Sequence, residues 1–100
     1  MREIDIDRAA AVHAEGGAFV DVREPQEFRE GHVPGAVNLP MGRLTSRLDE
    51  LDRTQPVHVV CASGNRSSAM TDVLSAAGFD AVNVAGGTSA WIRAGHPIEK

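Results

Sequence analysis

The segment from residue 57 to residue 77 constrains the fold more than any other part of the chain. It begins with Val57–Val60, a short apolar run of mostly β-branched residues, which predicts a buried strand. Residues 61–67, with the sequence CASGNRS, follow directly. Apolar residues then recur at i, i+3, i+4 and i+7, the spacing of one helix face: Met70, Val73, Leu74 and Ala77. The segment is therefore predicted to be a strand that enters a helix through a tight loop.

This loop holds the only cysteine of the chain, Cys61, at the end of the predicted strand. The first amides of a helix lack partners within it and carry partial positive charge, so together with loop amides they favour an anion. At helix N-termini the pKa of a thiol can fall to roughly 3.5–7.5. Gly64 permits the backbone angles of a closely wrapped loop. We therefore predict an activated cysteine in an anion-binding loop; the alternative is a cysteine that serves as a small buried hydrophobic residue.

Strands alternate with helices along the rest of the chain. Strands are predicted within residues 2–7, 18–22, 36–39, 57–60 and 81–85. Helices are predicted at residues 8–15, 25–30 and 44–52, after the cysteine loop, and from about residue 88 to residue 95. This alternation predicts one three-layer α/β domain over residues 1–100, with a mainly parallel central sheet flanked by helices on both faces. Active sites of such sheets lie beyond the carboxyl ends of the strands, where Cys61 falls.

The bulk properties exclude several classes of function. The formal net charge of −4 argues against nucleic acid as a partner, and no apolar run is long enough to cross a membrane. The first residues lack the apolar core of a signal peptide, and a single cysteine forms no internal disulfide. We therefore expect a cytoplasmic protein. The four histidines and one cysteine lack the spacing of zinc ligands, so we expect no metal or cofactor.

Four stretches, in order along the chain, resemble the rhodanese family of thiosulfate-type sulfurtransferases. Three of them are residues 21–28 (DVREPQEF), 31–36 (GHVPGA) and 61–66 (CASGNR). The fourth consists of separated residues near the carboxyl terminus: Gly86, Gly87, Trp91, Gly95 and Pro97. The resemblance implies a compact rhodanese-like domain whose cysteine, here Cys61, carries sulfane sulfur as a persulfide.

The resemblance also assigns the expected substrates and site residues. The thiolate would take sulfur from thiosulfate or a related persulfide donor and pass it to cyanide or a thiol acceptor. The expected partners are these small molecules, with a sulfur-relay protein as a further candidate. The loop residues expected to bind the substrate are Ala62, Ser63, Gly64, Asn65, Arg66 and Ser67.

Several polar residues admit more than one interpretation. Arg66 could clamp the oxyanion of a donor through two hydrogen bonds or form a surface ion pair. Asp21 and Arg23 could support the loop, pair with each other or contact the substrate, and structural support is favoured. His32 is interpreted as a structural, hydrogen-bonded histidine. His58 lies three positions before Cys61 on the strand, so its side chain should point to the opposite face of the sheet.

Two alternative functions remain. Cysteine phosphatases also place a thiolate and an arginine in an anion-binding loop, but with five residues between them, whereas four separate Cys61 from Arg66 here. A shorter loop encloses a smaller space, which favours sulfur over phosphate. The second alternative is a non-catalytic rhodanese-like module that binds or regulates partners. Such modules typically lose the cysteine, which this chain retains. Ser67 and Ser68 are interpreted as helix caps rather than catalysts.

Overall fold

A parallel sheet of five strands forms the middle layer of the structure, a computed structural model that describes all 100 residues. The strands are β1 (Arg2–Ile4), β2 (Ala18–Asp21), β3 (Val37–Asn38), β4 (Val57–Val60) and β5 (Ala81–Val84). Their order across the sheet is β1-β5-β4-β2-β3, and every neighbouring pair is parallel. The helices are α1 (Ile6–Ala14), α2 (Pro25–Glu30), α3 (Asn65–Ala76) and α4 (Gly87–Arg93).

Two apolar clusters, one on each face of the sheet, hold the layers together. Val59 of β4 belongs to the cluster that contains Leu74 of α3. Val60, the next residue, belongs to the cluster that contains Ala9 of α1 and Trp91 of α4. Successive side chains of a strand point to opposite faces, so one strand supplies both clusters. The predicted three-layer α/β domain, with a parallel sheet and helices on both faces, is confirmed.

Local chemistry explains where several elements begin. The side chain of Asp5 caps α1 and accepts a hydrogen bond from the amide of Arg8, 2.8 Å away. Pro25 occupies the first position of α2, where its missing amide proton costs nothing. The predicted apolar face of α3 is confirmed: Leu74 is buried, and Met70, Val73 and Ala77 pack against the same cluster.

The predicted helix over residues 44–52 is wrong. The segment instead contains two short 3₁₀ helices, Leu44–Ser46 and Leu48–Glu50, separated by Arg47 with φ −127° and ψ 24°. The hydroxyl of Ser46 donates to the carbonyl of Arg43, 2.9 Å away, a local bond that competes with helix geometry. Leu44 is nevertheless buried, and the other two leucines of the repeat, Leu48 and Leu51, pack against the core. The apolar spacing therefore identified the buried side chains correctly, although the backbone is not an α-helix.

Smaller differences concern the ends of elements. β3 covers only Val37–Asn38 of the predicted residues 36–39. α1 begins at Ile6 and ends at Ala14, and α4 begins at Gly87 and ends at Arg93.

No helix in the structure has the length and hydrophobicity that crossing a membrane requires. Cys61 follows β4 immediately, so it lies at the carboxyl edge of the sheet, between the ends of β2 and β5.

Candidate functional site

The cysteine loop wraps its backbone around the sulfur of Cys61. The residue is 1% exposed, and its Sγ accepts a hydrogen bond from the amide of Gly64, 3.0 Å away. Gly64 is also the N-cap residue of α3 and has φ +104°, a conformation that residues with a side chain rarely adopt. The glycine therefore both turns the chain into α3 and supplies an amide to the sulfur.

The environment of Cys61 favours the thiolate. Burial acts to raise the pKa of the Cys61 thiol, because it disfavours the charged form. Hydrogen bonds from the side chain and amide of Ser67, and from the amides of Gly64 and Ser63, act in the opposite direction and outweigh it. The net result is a pKa below the usual value for cysteine. A sulfur anion surrounded by amide and hydroxyl donors is a nucleophile that needs no neighbouring base.

The start of α4 holds the loop in this orientation. The amide of Thr88 donates to the carbonyl of Cys61 at 2.8 Å, and the amide of Ser89 donates to the carbonyl of Ala62 at 3.0 Å. Because the carbonyls of Cys61 and Ala62 point toward α4, the loop amides of Ser63 and Gly64 can point toward the sulfur.

Close approach of the two backbones requires Gly87, which has φ +57°. A Cβ atom at this position would lie 2.4 Å from the carbonyl oxygen of Cys61. The resemblance to the rhodanese family includes the paired glycines Gly86 and Gly87 but does not reveal this contact. The signal was their position directly after the last strand, at the same edge of the sheet as Cys61.

Ser67 lies within α3 rather than at its cap, so its interpretation as a capping residue is wrong. The N-cap is Gly64, and no side chain caps this helix. The same correction applies to Ser68, whose hydroxyl faces the sulfur of Met1 at 3.4 Å. The buried hydroxyl of Ser67 instead donates to Oδ1 of Asn83, 2.6 Å away. Asn83 in turn donates through Nδ2 to the carboxylate of Glu3, 2.8 Å away.

Arg66 forms an ion pair with Glu27, a residue to which sequence analysis assigned no role. Nη1 and Nη2 donate to the two carboxylate oxygens at 2.8 and 2.9 Å, and both side chains are about one-third exposed. The hydrogen bond from Arg66 is the main cause that lowers the pKa of Glu27 to about 2. The reciprocal bond from Glu27, more than the nearby Cys61, raises the pKa of Arg66. Of the two interpretations of Arg66, the structure shows the ion pair.

A second arginine–carboxylate pair lies at the end of β2. Arg23 bonds to Asp21, with Nη2 2.7 Å from Oδ2, and both residues are buried. Arg23 also donates to the carbonyl of Gly31 at 2.9 Å, so the pair fastens the chain after α2. The interpretation of these residues as structural support that pairs internally agrees with the structure.

His32 makes the hydrogen bond expected of it, and His58 lies on the predicted face of the sheet. His32 stacks on Phe28, with ring centroids 3.6 Å apart, and its Nδ1 lies 2.8 Å from the Phe28 carbonyl oxygen. His58 packs against Phe19 on the face of the sheet opposite the Cys61 cluster.

Not every loop residue expected to bind the substrate makes a hydrogen bond to the Cys61 sulfur or to α4. Ala62, Ser63, Gly64 and Ser67 act through the contacts given above, while Asn65 begins α3. No group of three or more histidine, cysteine, aspartate or glutamate side chains is arranged to hold a metal ion. Neither of the surface cavities, about 420 and about 350 Å³ in volume, is lined by Cys61. The site is thus a closed loop around the Cys61 sulfur rather than a wide pocket.

Comparison with known proteins gives a consistent result. The family model for the rhodanese-like domain matches residues 6–94. A protein of Bacillus subtilis (strain 168) named "Putative sulfurtransferase YtwF" is 40% identical over 73 residues, which are 73% of this chain and 71% of that protein.

Solved structures extend the similarity to nearly the whole chain. A rhodanese-related protein from Thermoplasma volcanium superposes with a TM-score of 0.93 at 33% identity, covering 99% of this chain and 98% of that one. A rhodanese-like domain protein from Staphylococcus aureus superposes with a TM-score of 0.89 at 34% identity, covering 99% and 97%.

Proposed function

The chain belongs to the rhodanese-like domain family, and from that premise we propose that it is a sulfurtransferase that carries sulfane sulfur on Cys61. One observation carries this proposal: the sulfur of Cys61 accepts a hydrogen bond from the Gly64 amide, and the hydrogen bonds of the loop lower the pKa of the Cys61 thiol. A stabilised thiolate is the form that attacks a sulfur–sulfur bond.

The reaction has two half-reactions. In the first, the Cys61 thiolate attacks the outer sulfur of a donor such as thiosulfate, a new sulfur–sulfur bond forms, and sulfite leaves with the electron pair of the broken bond. In the second, cyanide or a thiolate attacks the terminal sulfur of the persulfide, and the Cys61 thiolate is regenerated. Each step transfers one sulfur between anions, so no proton-transferring base is required.

The loop contributes to both half-reactions in the same way. The amide and hydroxyl donors stabilise negative charge on Cys61 before attack, and the persulfide that replaces it is again an anion. The partners that this chemistry needs are a small-molecule sulfur donor and a thiophilic acceptor, or the persulfide of a relay protein.

A non-catalytic module of the same family is the alternative. Such a module would have no need for hydrogen-bond donors around Cys61. Here four hydrogen bonds, two from Ser67 and one each from Gly64 and Ser63, stabilise the thiolate form of Cys61. These contacts support a catalytic protein.

Intact mass spectrometry tests the proposal. Incubation with thiosulfate or with an organic persulfide should add one sulfur atom to the protein, and cyanide or dithiothreitol should remove it. Cys61→Ser should gain none. A Cys61→Ser variant that still transferred sulfur, or a wild-type protein that took up sulfur from neither donor, would refute the mechanism.

A further inference from the structure

The charged groups around the cysteine loop cancel one another. Arg66 is bonded to Glu27 through both terminal nitrogens, and Arg23 is bonded to Asp21. These groups lie close enough to act on one another: Arg23 contributes to the lowered pKa of Glu27, and Asp21 and Cys61 contribute to the raised pKa of Arg66. The thiolate of Cys61 therefore faces no arginine that lacks a carboxylate partner.

This arrangement discriminates between classes of sulfur donor. Thiosulfate is a dianion, and its sulfonate oxygens need donors that the Arg66 fork already gives to Glu27. To use that fork, thiosulfate must displace Glu27, and at the remaining N–H groups of Arg66 it must lie beside the Glu27 carboxylate, a second negative charge. An organic persulfide, R–S–SH, has no sulfonate group and needs no such clamp.

We propose, on the basis of the sulfurtransferase function, that Glu27 sets the donor preference of this site, so that organic persulfides load Cys61 in preference to thiosulfate. Glu27 acts through Arg66, by occupying the two nitrogens that would otherwise receive the donor's oxyanion. In the preferred reaction the Cys61 thiolate attacks the outer sulfur of R–S–SH. The donor's sulfur–sulfur bond breaks, R–S⁻ leaves with its electron pair, and the proton remains on the new Cys61 persulfide.

The test compares two donors on three proteins. The second-order rate constant for sulfur loading on Cys61 is measured by quenched intact mass spectrometry, with thiosulfate and with 2-hydroxyethyl persulfide, whose tail is uncharged. The proteins are the wild type, Glu27→Gln and Glu30→Gln. Glu30 is the matched control, because it lies on the same helix, is exposed and makes no side-chain hydrogen bond.

The wild type should load from the persulfide at least about fivefold faster than from thiosulfate. Glu27→Gln should raise the thiosulfate rate constant roughly three- to fivefold, the upper scale of one partly exposed charge contact, and change the persulfide rate constant less than about twofold. Glu30→Gln should change neither by more than about twofold. The gain in Glu27→Gln should shrink in high salt, because screening weakens contacts between exposed charges.

Different failures have different meanings. Equal loading from both donors in the wild type, or a Glu27→Gln variant with an unchanged thiosulfate rate, would overturn the role of Glu27 while leaving the sulfurtransferase function intact. Loading from neither donor, on a thiol that iodoacetamide still alkylates, would overturn the sulfurtransferase function and this inference with it.

Discussion

The hydroxyl of Ser67 lies 2.6 Å from Oδ1 of Asn83, and both residues are buried. Nδ2 of Asn83 faces the carboxylate of Glu3, which accepts hydrogen bonds only, so the oxygen of the amide must face Ser67. The Ser67 hydroxyl has a single proton and lies within hydrogen-bond reach of both Oδ1 of Asn83 and the Cys61 sulfur, so these two acceptors share it. The network links the Cys61 loop to β1 through Ser67, Asn83 and Glu3.

Replacing Ser67 tests its contribution to the thiolate. In Ser67→Ala the hydrogen bond from the hydroxyl is lost, so the pKa of Cys61 should rise, because one donor that stabilises the thiolate is removed. The midpoint of the iodoacetamide alkylation rate against pH measures this pKa. Because alkylation requires the thiolate, the variant should react more slowly below the midpoint and at the wild-type rate well above it. Ser68→Ala, the neighbouring control, should leave the midpoint in place; a midpoint unmoved in Ser67→Ala would remove the hydroxyl from the mechanism.

Gly87→Ala tests the docking of α4 on the cysteine loop. Its Cβ atom would lie 2.4 Å from the Cys61 carbonyl oxygen, so the loop or the helix must shift. Gly95→Ala is the matched control, because Gly95 has φ +82° and open space around its Cβ position.

Urea unfolding should show a loss of about 1 kcal/mol for Gly95→Ala, from backbone strain alone, and at least about 2 kcal/mol more for Gly87→Ala. Sulfur loading should fall in Gly87→Ala only. Equal losses of stability in the two variants, with normal loading, would show that the contact does not shape the site.

Arg66→Ala should reduce kcat/KM for thiosulfate by roughly tenfold to a hundredfold, because it removes a positive charge and leaves the Glu27 carboxylate unpaired beside the dianionic donor. Arg66→Lys should recover only part of this loss, since an ammonium group lacks the planar fork. The double variant Arg66→Ala/Glu27→Gln should be more active toward thiosulfate than Arg66→Ala alone. Steady-state kinetics of the wild type, Arg66→Ala, Glu27→Gln and the double variant form a double-mutant cycle, and simple additivity would contradict the coupling of the two residues.

Loop length separates sulfur chemistry from phosphate chemistry. With four residues between Cys61 and Arg66, the ring of amides should admit a persulfide sulfur and crowd a tetrahedral phosphate. The wild type should therefore not hydrolyse p-nitrophenyl phosphate at rates above background, measured by release of p-nitrophenol. One glycine inserted after Gly64 should widen the ring and lower sulfur loading. Strong phosphatase activity in the unmodified protein, without loading from any sulfur donor, would favour the rival assignment.

Local sequence determined the strand–loop–helix unit that carries Cys61. The apolar run Val57–Val60, the glycine at position 64 and the helical spacing after it are each encoded within a few residues, because propensity and turn geometry act locally. The alternation of such units along the chain also determined the parallel sheet, since a right-handed crossover returns each strand to the same direction. The position of the Cys61 sulfur at the carboxyl edge follows from these two facts.

Tertiary structure alone decided which side chains meet this loop. Glu27 pairs with Arg66 across 39 positions, Asn83 accepts from Ser67 across 16, and the Thr88 amide reaches the Cys61 carbonyl from another helix. Such contacts depend on the order of strands and the packing of helices, and one sequence has no local signal for either. The leucine repeat at residues 44–51 is a second case in which sequence spacing predicted only part of the structure. Burial of Leu44, Leu48 and Leu51 was predictable from spacing, but a local bond from Ser46 and packing on the core selected 3₁₀ turns over an α-helix.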